Sequence, residues 1–581
     1  MPKLKTFGIL TGIFAASALM LTFMQVPHKL HFLAWICMVP FVLACKQDAK
    51  SFSLILISCL VGTVYWIGNL WWLTLVTVPG YIGFCIYLGL YWPVLAICIR
   101  WFRRKNFPLI IALPLLMIGV EAWQGILISG FSWRLLGHSQ YANTTLIQFA
   151  DILGVTGISF LVAMINGLVC DLIIDWQNKN KTESTESTKA HPTVLINAVK
   201  ISVTVFVLLA VITYGKYRIG QTAGSVTEGP VIGSVQPNIP SYVKELADNG
   251  ELILNDLIEK SDKCFAAGAE LVAWPETIVL ANINPSFVNL LTEFKMNNPG
   301  AKFDKTITDH VKGKGYVFFG SHAANVERVP NTLPEKYVIS ERFNSGYLYT
   351  PDGKQDPNRY DKIHLVPFGE FVPFKDSAPP IYQMFRYFSP YDYDYSLTHG
   401  TNYTVFDMES GEKTYNFGCL ICYEDTDPEV TRKMVVDENG RKKSDWLINI
   451  SNDGWYVRYD NKTGQMGTSG ELSQRTAITV FRAIENRISV IRSVNTGISC
   501  IIDPAGRIID TFKDGNLPQK AMDRQCVEGW FVDKIFIDNR VTFFSKHGKW
   551  PDIYAAGAFV AILALMALEK IKSRSMKRKA R

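Results

Sequence analysis

Seven apolar runs in the first third of the chain restrict what it can fold into more than any other feature. Residues 7–24, 30–45, 52–76, 81–99, 108–128, 153–174 and 194–214 each carry at most one formal charge. Runs of this kind read as membrane-crossing helices, because a span needs about 20 apolar residues. The first run, 18 residues without a charge, could alone be a cleaved signal peptide; seven runs could not. Composition agrees: of 581 residues, 48% are hydrophobic and only 19% charged. Such a chain is too apolar for an ordinary soluble enzyme and long enough for two or three domains.

Positively charged loops set the orientation of such a chain. Lys3 and Lys5 precede the first run, and Lys46 and Lys50 follow the second. Arg100, Arg103, Arg104 and Lys105 follow the fourth, and Lys179, Lys181 and Lys189 the sixth, so all four clusters fall on one side. The opposite loops hold Lys29, Arg134 and nothing basic over 77–80. The amino terminus is therefore expected in the cytoplasm and the chain beyond 214 across the membrane. Residues 553–568 return as an eighth span, ending in EKIKSRSMKRKAR with seven basic residues on the cytoplasmic side. The expected organisation is a membrane domain of seven helices over 1–220, an extracytoplasmic globular domain over 226–535, the eighth span over 552–569 and a basic tail over 570–581. That tail largely explains the net charge of +7. The globular region has no basic face with interleaved aromatics, so nucleic acid is not an expected partner. The polar, Ser/Thr-rich stretch 179–193 reads as a solvated cytoplasmic loop.

Between 226 and 532 the pattern changes to strand-like runs at 231–235, 270–273, 316–320, 415–421, 446–450 and 498–502, with a helix over 473–486. This periodicity gives an α/β domain. YNFGCLICYEDTDPE (415–429) delivers Cys422 to a strand end just before a helix start at Asp427-Pro428, where backbone N–H groups and the helix dipole favour a thiolate. Taken alone, such a cysteine reads more readily as a buried structural residue. GAELVAWPET (268–277) sets Glu276 beyond another strand, and YDKIHLVPFGEFVPF (360–374) sets Lys362 and Glu370 in a segment broken by Pro and Gly. Charges among apolar neighbours are rarely left without partners. Glu, Lys and Cys together supply a base, a cation and a nucleophile.

The globular region holds Cys264, Cys419, Cys422, Cys500 and Cys526, an odd number that leaves at least one thiol free. Cys419-x-x-Cys422 could be a redox pair or half a zinc site. Strand geometry opposes the pair: residues three apart are about 10 Å apart and face opposite ways, whereas a disulfide needs Cα atoms within about 7 Å. No second CxxC or His pair completes a metal site, so neither metal nor other cofactor is expected.

WPE with Glu276, YDKxHLVPFGE with Lys362 and Glu370, and CYE with Cys422 resemble the nitrilase superfamily of carbon-nitrogen hydrolases. With NSGYL (344–348), NISNDGW (449–455), FRAIENR (481–487), TFFSKHGKWPD (542–552) and the apolar runs, the full-length pattern is similar to that of the apolipoprotein N-acyltransferase family. The resemblance implies a polytopic helical membrane domain joined to an α-β-β-α sandwich. It also implies a Glu276–Lys362–Cys422 triad supported by Glu370, Tyr423 and Glu424. The implied partners are a phospholipid acyl donor and a diacylglyceryl apolipoprotein acceptor, at the bacterial cytoplasmic (inner) membrane, for a protein expected to be a monomer. The chain departs from the family pattern at Ser132 (commonly Pro), Gln124 (Arg expected) and Glu245 (Trp expected), and residues 457–470 look longer than usual. Glu121, an ionisable group inside the fifth run, is a functional or pairing candidate.

In these roles the Cys422 thiolate attacks an ester carbonyl, Glu276 takes its proton and later returns it, and Lys362 stabilises the oxyanion, with the Tyr423 N–H as second donor. Glu370 and Glu424 hold Lys362 charged and position Glu276, or form a structural ion pair. His364 invites a Cys-His dyad, but the family assigns the base to Glu, which leaves His364 structural. The aromatic stretch 371–395 suits a lipid interface or a lid packed on its own domain. Three readings compete: a membrane acyltransferase acting on lipoproteins, an anchored amidase hydrolysing a small amide, and a catalytically silent binding module. A hydrolase needs one anchor, so eight spans favour the first.

Overall fold

The computed structural model describes residues 2–46, 50–182, 192–244, 249–329, 336–389, 391, 393–460 and 462–579. Glu245 and most of the Ser/Thr-rich stretch, 183–191, lie outside the described residues. The chain forms two compact units, one of Met1–Trp71, Tyr81–Ile219 and Lys549–Arg581, the other of Trp72–Gly80 and Gly220–Gly548.

In the first unit every apolar run is helical. Ser51–Asn69, Val78–Arg104, Ala150–Asn180, Val194–Ser225 and Trp550–Arg578 are long and apolar enough to cross a membrane; Phe7–Phe23, His31–Ala44 and Leu109–Gln124 are shorter apolar helices. The second run departs from the continuous span expected of it. It divides into a 3-10 turn, His31–Trp35, and a short helix, Val39–Ala44, because Pro40 lacks an N–H and fits only the first turn.

Lone charges within these helices find partners. Asp171 of the sixth run sits 3.0 Å from Lys200 of the seventh and accepts the Leu109 N–H at 2.9 Å and the Ile110 N–H at 3.3 Å. The Glu121 carboxylate accepts the Leu136 N–H at 2.7 Å. Gln124 donates to the Phe131 and Trp133 carbonyls, a backbone role.

The second unit is built on two sheets. The larger runs Asp514–Gly515, Gly529–Asp538, Val226–Gln236, Leu271–Ala273, Tyr316–Val329, Lys336–Thr350, Lys354–Asp361, with Val279–Asn282 added against Tyr316–Val329. The smaller runs Ile508–Ile509, Cys500–Ile502, Ser489–Val494, Trp446–Ser451, Lys413–Ile421, Val405–Ser410. Both have a parallel centre, Val226–Gln236 with Leu271–Ala273 and Tyr316–Val329 in one, Lys413–Ile421 with Trp446–Ser451 and Ser489–Val494 in the other. Central parallel strands are covered on both faces, which is why Trp446–Ser451 and Ser489–Val494 are buried at every position.

The sheets meet face to face. Ser493 donates to the Ala273 carbonyl at 2.9 Å, and Ser234 to the Arg492 carbonyl at 3.3 Å. Helices Gly250–Ala266 and Pro299–Val311 cover the first sheet through Leu254, Leu257 and Ile307. Pro428–Val435 and Gly470–Asn486 pack with the second sheet, giving the α-β-β-α order. Gly470–Asn486 begins three residues before the expected helix and is buried from Glu471 to Asn486.

Candidate active site

The strand Lys413–Ile421 stops one residue short of Cys422, which opens a 3-10 turn, Cys422–Thr426. Cys422 has a φ of +52°, a left-handed conformation that a non-glycine residue holds only where its surroundings enforce it. Glu424 supplies much of that enforcement. One oxygen accepts the Ile421 N–H at 2.7 Å; the other accepts the Tyr360 hydroxyl at 2.8 Å and the N–H groups of Ile363 and His364 at 2.7 and 3.1 Å. Glu424 thus ties the strand end to the loop that follows Lys362. Its hydrogen bonds go to this frame rather than to Lys362, which acts on it only at longer range. Asp427 caps the next helix through the Glu429 N–H at 2.8 Å and lies 3.1 Å from His364 Nδ1. Cys419, three residues earlier, is a buried strand residue in register with Ile448, and both thiols are free.

Glu276 lies beyond Leu271–Ala273, and the backbone at Gly320 presses on it. A Cβ at 320 would stand 2.5 Å from the Thr277 nitrogen and 2.6 Å from the Glu276 Cα, so only glycine fits. Glu276 Oε1 accepts the Asn344 amide at 2.7 Å and faces Lys362 Nζ at 3.3 Å; Oε2 accepts the Asn452 N–H at 2.9 Å. Lys362, just after Lys354–Asp361, is held by its N–H to the Asn344 carbonyl at 2.9 Å and pairs with Glu370 Oε1 at 2.8 Å. Asn344 also reaches Glu370 Oε1 at 3.0 Å, and Glu370 Oε2 accepts the Val366 N–H at 2.7 Å. Lys244 donates to the Glu276 carbonyl at 3.3 Å and the Thr277 hydroxyl at 2.6 Å.

Electrostatics order the protons. Burial pushes the Cys422 thiol up to about 12, against the pull of Arg475 and Lys362. Burial also disfavours the Glu276 carboxylate, but Lys362, the Asn344 amide, Lys244 and the Asn452 N–H outweigh it and hold the group at about 2. Lys362 is strongly held as the ammonium by Glu370 and Glu276, despite its burial. The resting site is therefore a neutral thiol, a carboxylate and an ammonium ion. A free thiolate is not a resting species here.

Three contributors carried no chemical signal of their own in the sequence. Asn344 and Asn452 stand within NSGYL and NISNDGW, but an amide that orients a carboxylate looks like any polar residue. Lys244 looks like a surface lysine, yet is buried.

Two facing parallel-centred sheets, with Glu276, Lys362 and Cys422 at their strand ends, define the second unit as a carbon-nitrogen hydrolase-type domain. A family model described as carbon-nitrogen hydrolase matches residues 231–525, and one described as the apolipoprotein N-acyltransferase N-terminal domain matches residues 17–168. An apolipoprotein N-acyltransferase of Geobacter metallireducens is 32% identical over 556 residues, covering 92% of this chain and 91% of its own length. The Chlorobaculum tepidum enzyme of that name is 26% identical, covering 92% and 91%. Apolipoprotein N-acyltransferase 1 of Treponema denticola is 24% identical, covering 82% of each. The chain belongs to the apolipoprotein N-acyltransferase family.

Proposed function

We propose that this chain moves an acyl chain from a membrane phospholipid, through a thioester on Cys422, to the α-amino group of the diacylglyceryl-modified N-terminal cysteine of an apolipoprotein. The observation that carries this reading is the buried Glu276–Lys362–Glu370 ion-pair set bearing on Cys422, in a chain whose other unit is a set of apolar helices.

In the first step the Cys422 sulfur attacks the ester carbonyl carbon of the donor as Glu276 takes the thiol proton. Proton transfer within the site leaves its net charge unchanged, which matters where water cannot screen it. Lys362 and the Tyr423 peptide N–H stabilise the tetrahedral oxyanion. Collapse expels the lysophospholipid alkoxide, which takes the proton back from Glu276. In the second step the amine attacks the thioester, Glu276 removes a proton from it, and collapse releases the thiolate to be reprotonated. Glu370 and Asn344 hold Lys362 and Glu276 in register, and Glu424 holds the turn that bears the sulfur.

The loop charges support eight spans with both termini cytoplasmic, and a catalytic unit facing outward from the bacterial inner membrane. Within 371–395 the helix Pro379–Arg386 leaves Ile381 and Met384 exposed, followed by exposed Tyr387 and Tyr393. Phe368 and Phe374, the latter itself exposed, pack on Phe385. This segment serves as the cover that keeps water from the thioester.

Incubating purified protein with phospholipid alone yields a hydroxylamine-labile acyl adduct on Cys422, absent from Glu276→Gln and Lys362→Ala. Mass spectrometry of lipoprotein amino termini then shows loss of N-acylation when the gene is removed. Unchanged N-acylation in cells without a redundant enzyme would eliminate this reading in favour of an amidase.

A further inference from the structure

Beside the turn that carries Cys422 lies a cluster of five buried charged side chains that the acyl-transfer steps leave unused: Asp425, Asp453, Glu471, Arg475 and Arg492. Arg475 is its hub. Its Nε is 3.2 Å from both carboxylate oxygens of Asp425; its Nη1 is 3.0 Å from Asp453 and 3.5 Å from Glu471. Asp425 belongs to the turn Cys422–Thr426 and Asp453 to the turn Asp453–Tyr456, so one guanidinium joins the two. Arg492 supports the arrangement from the neighbouring strand, donating to Asp425 at 2.6 Å. Three acids stand against two arginines, and burial, followed by Asp453, pushes the Glu471 carboxyl well above the usual carboxylate range, which lessens the negative surplus.

We propose that Arg475 is a positioning residue for the nucleophile: it locks the Cys422 turn onto the Asp453 turn and presents to the sulfur the positive charge against which the thiolate forms. This rests on Cys422 being the nucleophile. Arg475, Glu276, Lys362 and Glu370 act on the thiol, with the Tyr456 hydroxyl also coupled to it. Of these charges Arg475 opposes the effect of burial most. Lys362 is already shared between two carboxylates and the developing oxyanion. A second cation, anchored to the turn itself, divides the work: one stabilises oxygen, the other sulfur.

The test is the pH dependence of Cys422 alkylation by iodoacetamide in the purified full-length protein, quantified by peptide mass spectrometry with Cys526 as internal reference. Arg475→Met is expected to slow Cys422 alkylation roughly tenfold at pH 7–9, equivalent to raising its midpoint by about one pH unit, with Cys526 unchanged. Arg475→Lys is expected to restore most of the reactivity. Loosened packing would admit water and lower the midpoint, so an upward shift separates charge from structure. Asp425→Asn combined with Arg475→Met removes one charge of each sign from the cluster, still lacks the cation, and gives the same upward shift if the single variant does not fold. A folded variant with an unchanged or lowered midpoint overturns the inference, and unfolding of both variants does so too by making Arg475 structural. Failure of wild-type protein to form the phospholipid adduct on Cys422 would instead defeat the functional reading beneath it.

Discussion

Replacing Glu276 with Gln removes one charge at nearly constant shape, and the structure sets the size of the effect. All three groups that meet the carboxylate are donors: the Asn344 amide, the Lys362 ammonium and the Asn452 N–H. A glutamine must turn its own NH2 toward one of them, so at least one buried hydrogen bond is lost, at about 1–3 kcal/mol. Linkage gives a similar figure. The carboxyl is held at about 2 in the folded protein, against about 4.3 in an unfolded chain. Glu276 is buried, so solvent screening takes little away, and ionisation contributes about 3 kcal/mol of stability at neutral pH. Because the folded value lies below the unfolded one, that stability is complete above about pH 4.3 and fades as pH falls toward 2. Urea unfolding of the full-length protein in detergent, at several pH values between 7 and 2, should therefore show Glu276→Gln less stable by about 2–3 kcal/mol at pH 7. The gap should narrow as the medium acidifies. A gap that stays constant across this range would refute the claim that an ionised, ion-paired Glu276 is what the site stabilises.

Cys422→Ala or Cys422→Ser should abolish acyl transfer while Cys419→Ser retains most of it, read by adduct formation; an essential Cys419 would reverse the strand-end argument. Gly320→Ala must shift the backbone at Glu276, and single-turnover acylation should slow at least about tenfold without loss of the fold. A cysteine placed at Lys462 should react with a membrane-impermeant reagent in intact spheroplasts, and one placed within 183–189 only after lysis. The opposite pattern would overturn the orientation.

Much of this was legible in the chain because the relevant physics is local. Apolar runs give helices without reference to anything distant, and a buried parallel strand such as Trp446–Ser451 reads as an uninterrupted apolar stretch. The strand end at Cys422 followed from an apolar run meeting acidic residues and Pro428. Ser489–Val494 escaped because Arg492 and two serines interrupt the pattern; the arginine's burial is made possible by Asp425, Asn449 and Thr479, and the serines' by the carbonyls of Phe536, Val235 and Ala273, which only the fold brings near. Helix Gly470–Asn486 misleads in the same way, its charged residues suggesting a solvated face where ion pairs allow complete burial. Glu424 was recognisable as a supporting residue, yet its service to three backbone N–H groups and a tyrosine depends on how a loop sixty residues earlier returns to the strand.

The meeting of Asp171 with Lys200 bears on how the protein is made. Each residue is the single charge of its apolar run, Asp171 near the end of 153–174 and Lys200 in the first third of 194–214, so a helix entering the bilayer alone carries part of the roughly 3 kcal/mol that a charge at its centre would cost. Neither helix is electrically complete when it leaves the ribosome. The pair favours entry of the sixth and seventh helices as a hairpin. Asp171 has a further obligation, since it accepts the first N–H groups of the helix that starts at Leu109, synthesised well before it. A chain that loses Asp171 leaves Lys200 to Asp175 alone, 3.8 Å away, and takes the acceptor from the first N–H groups of the helix that starts at Leu109.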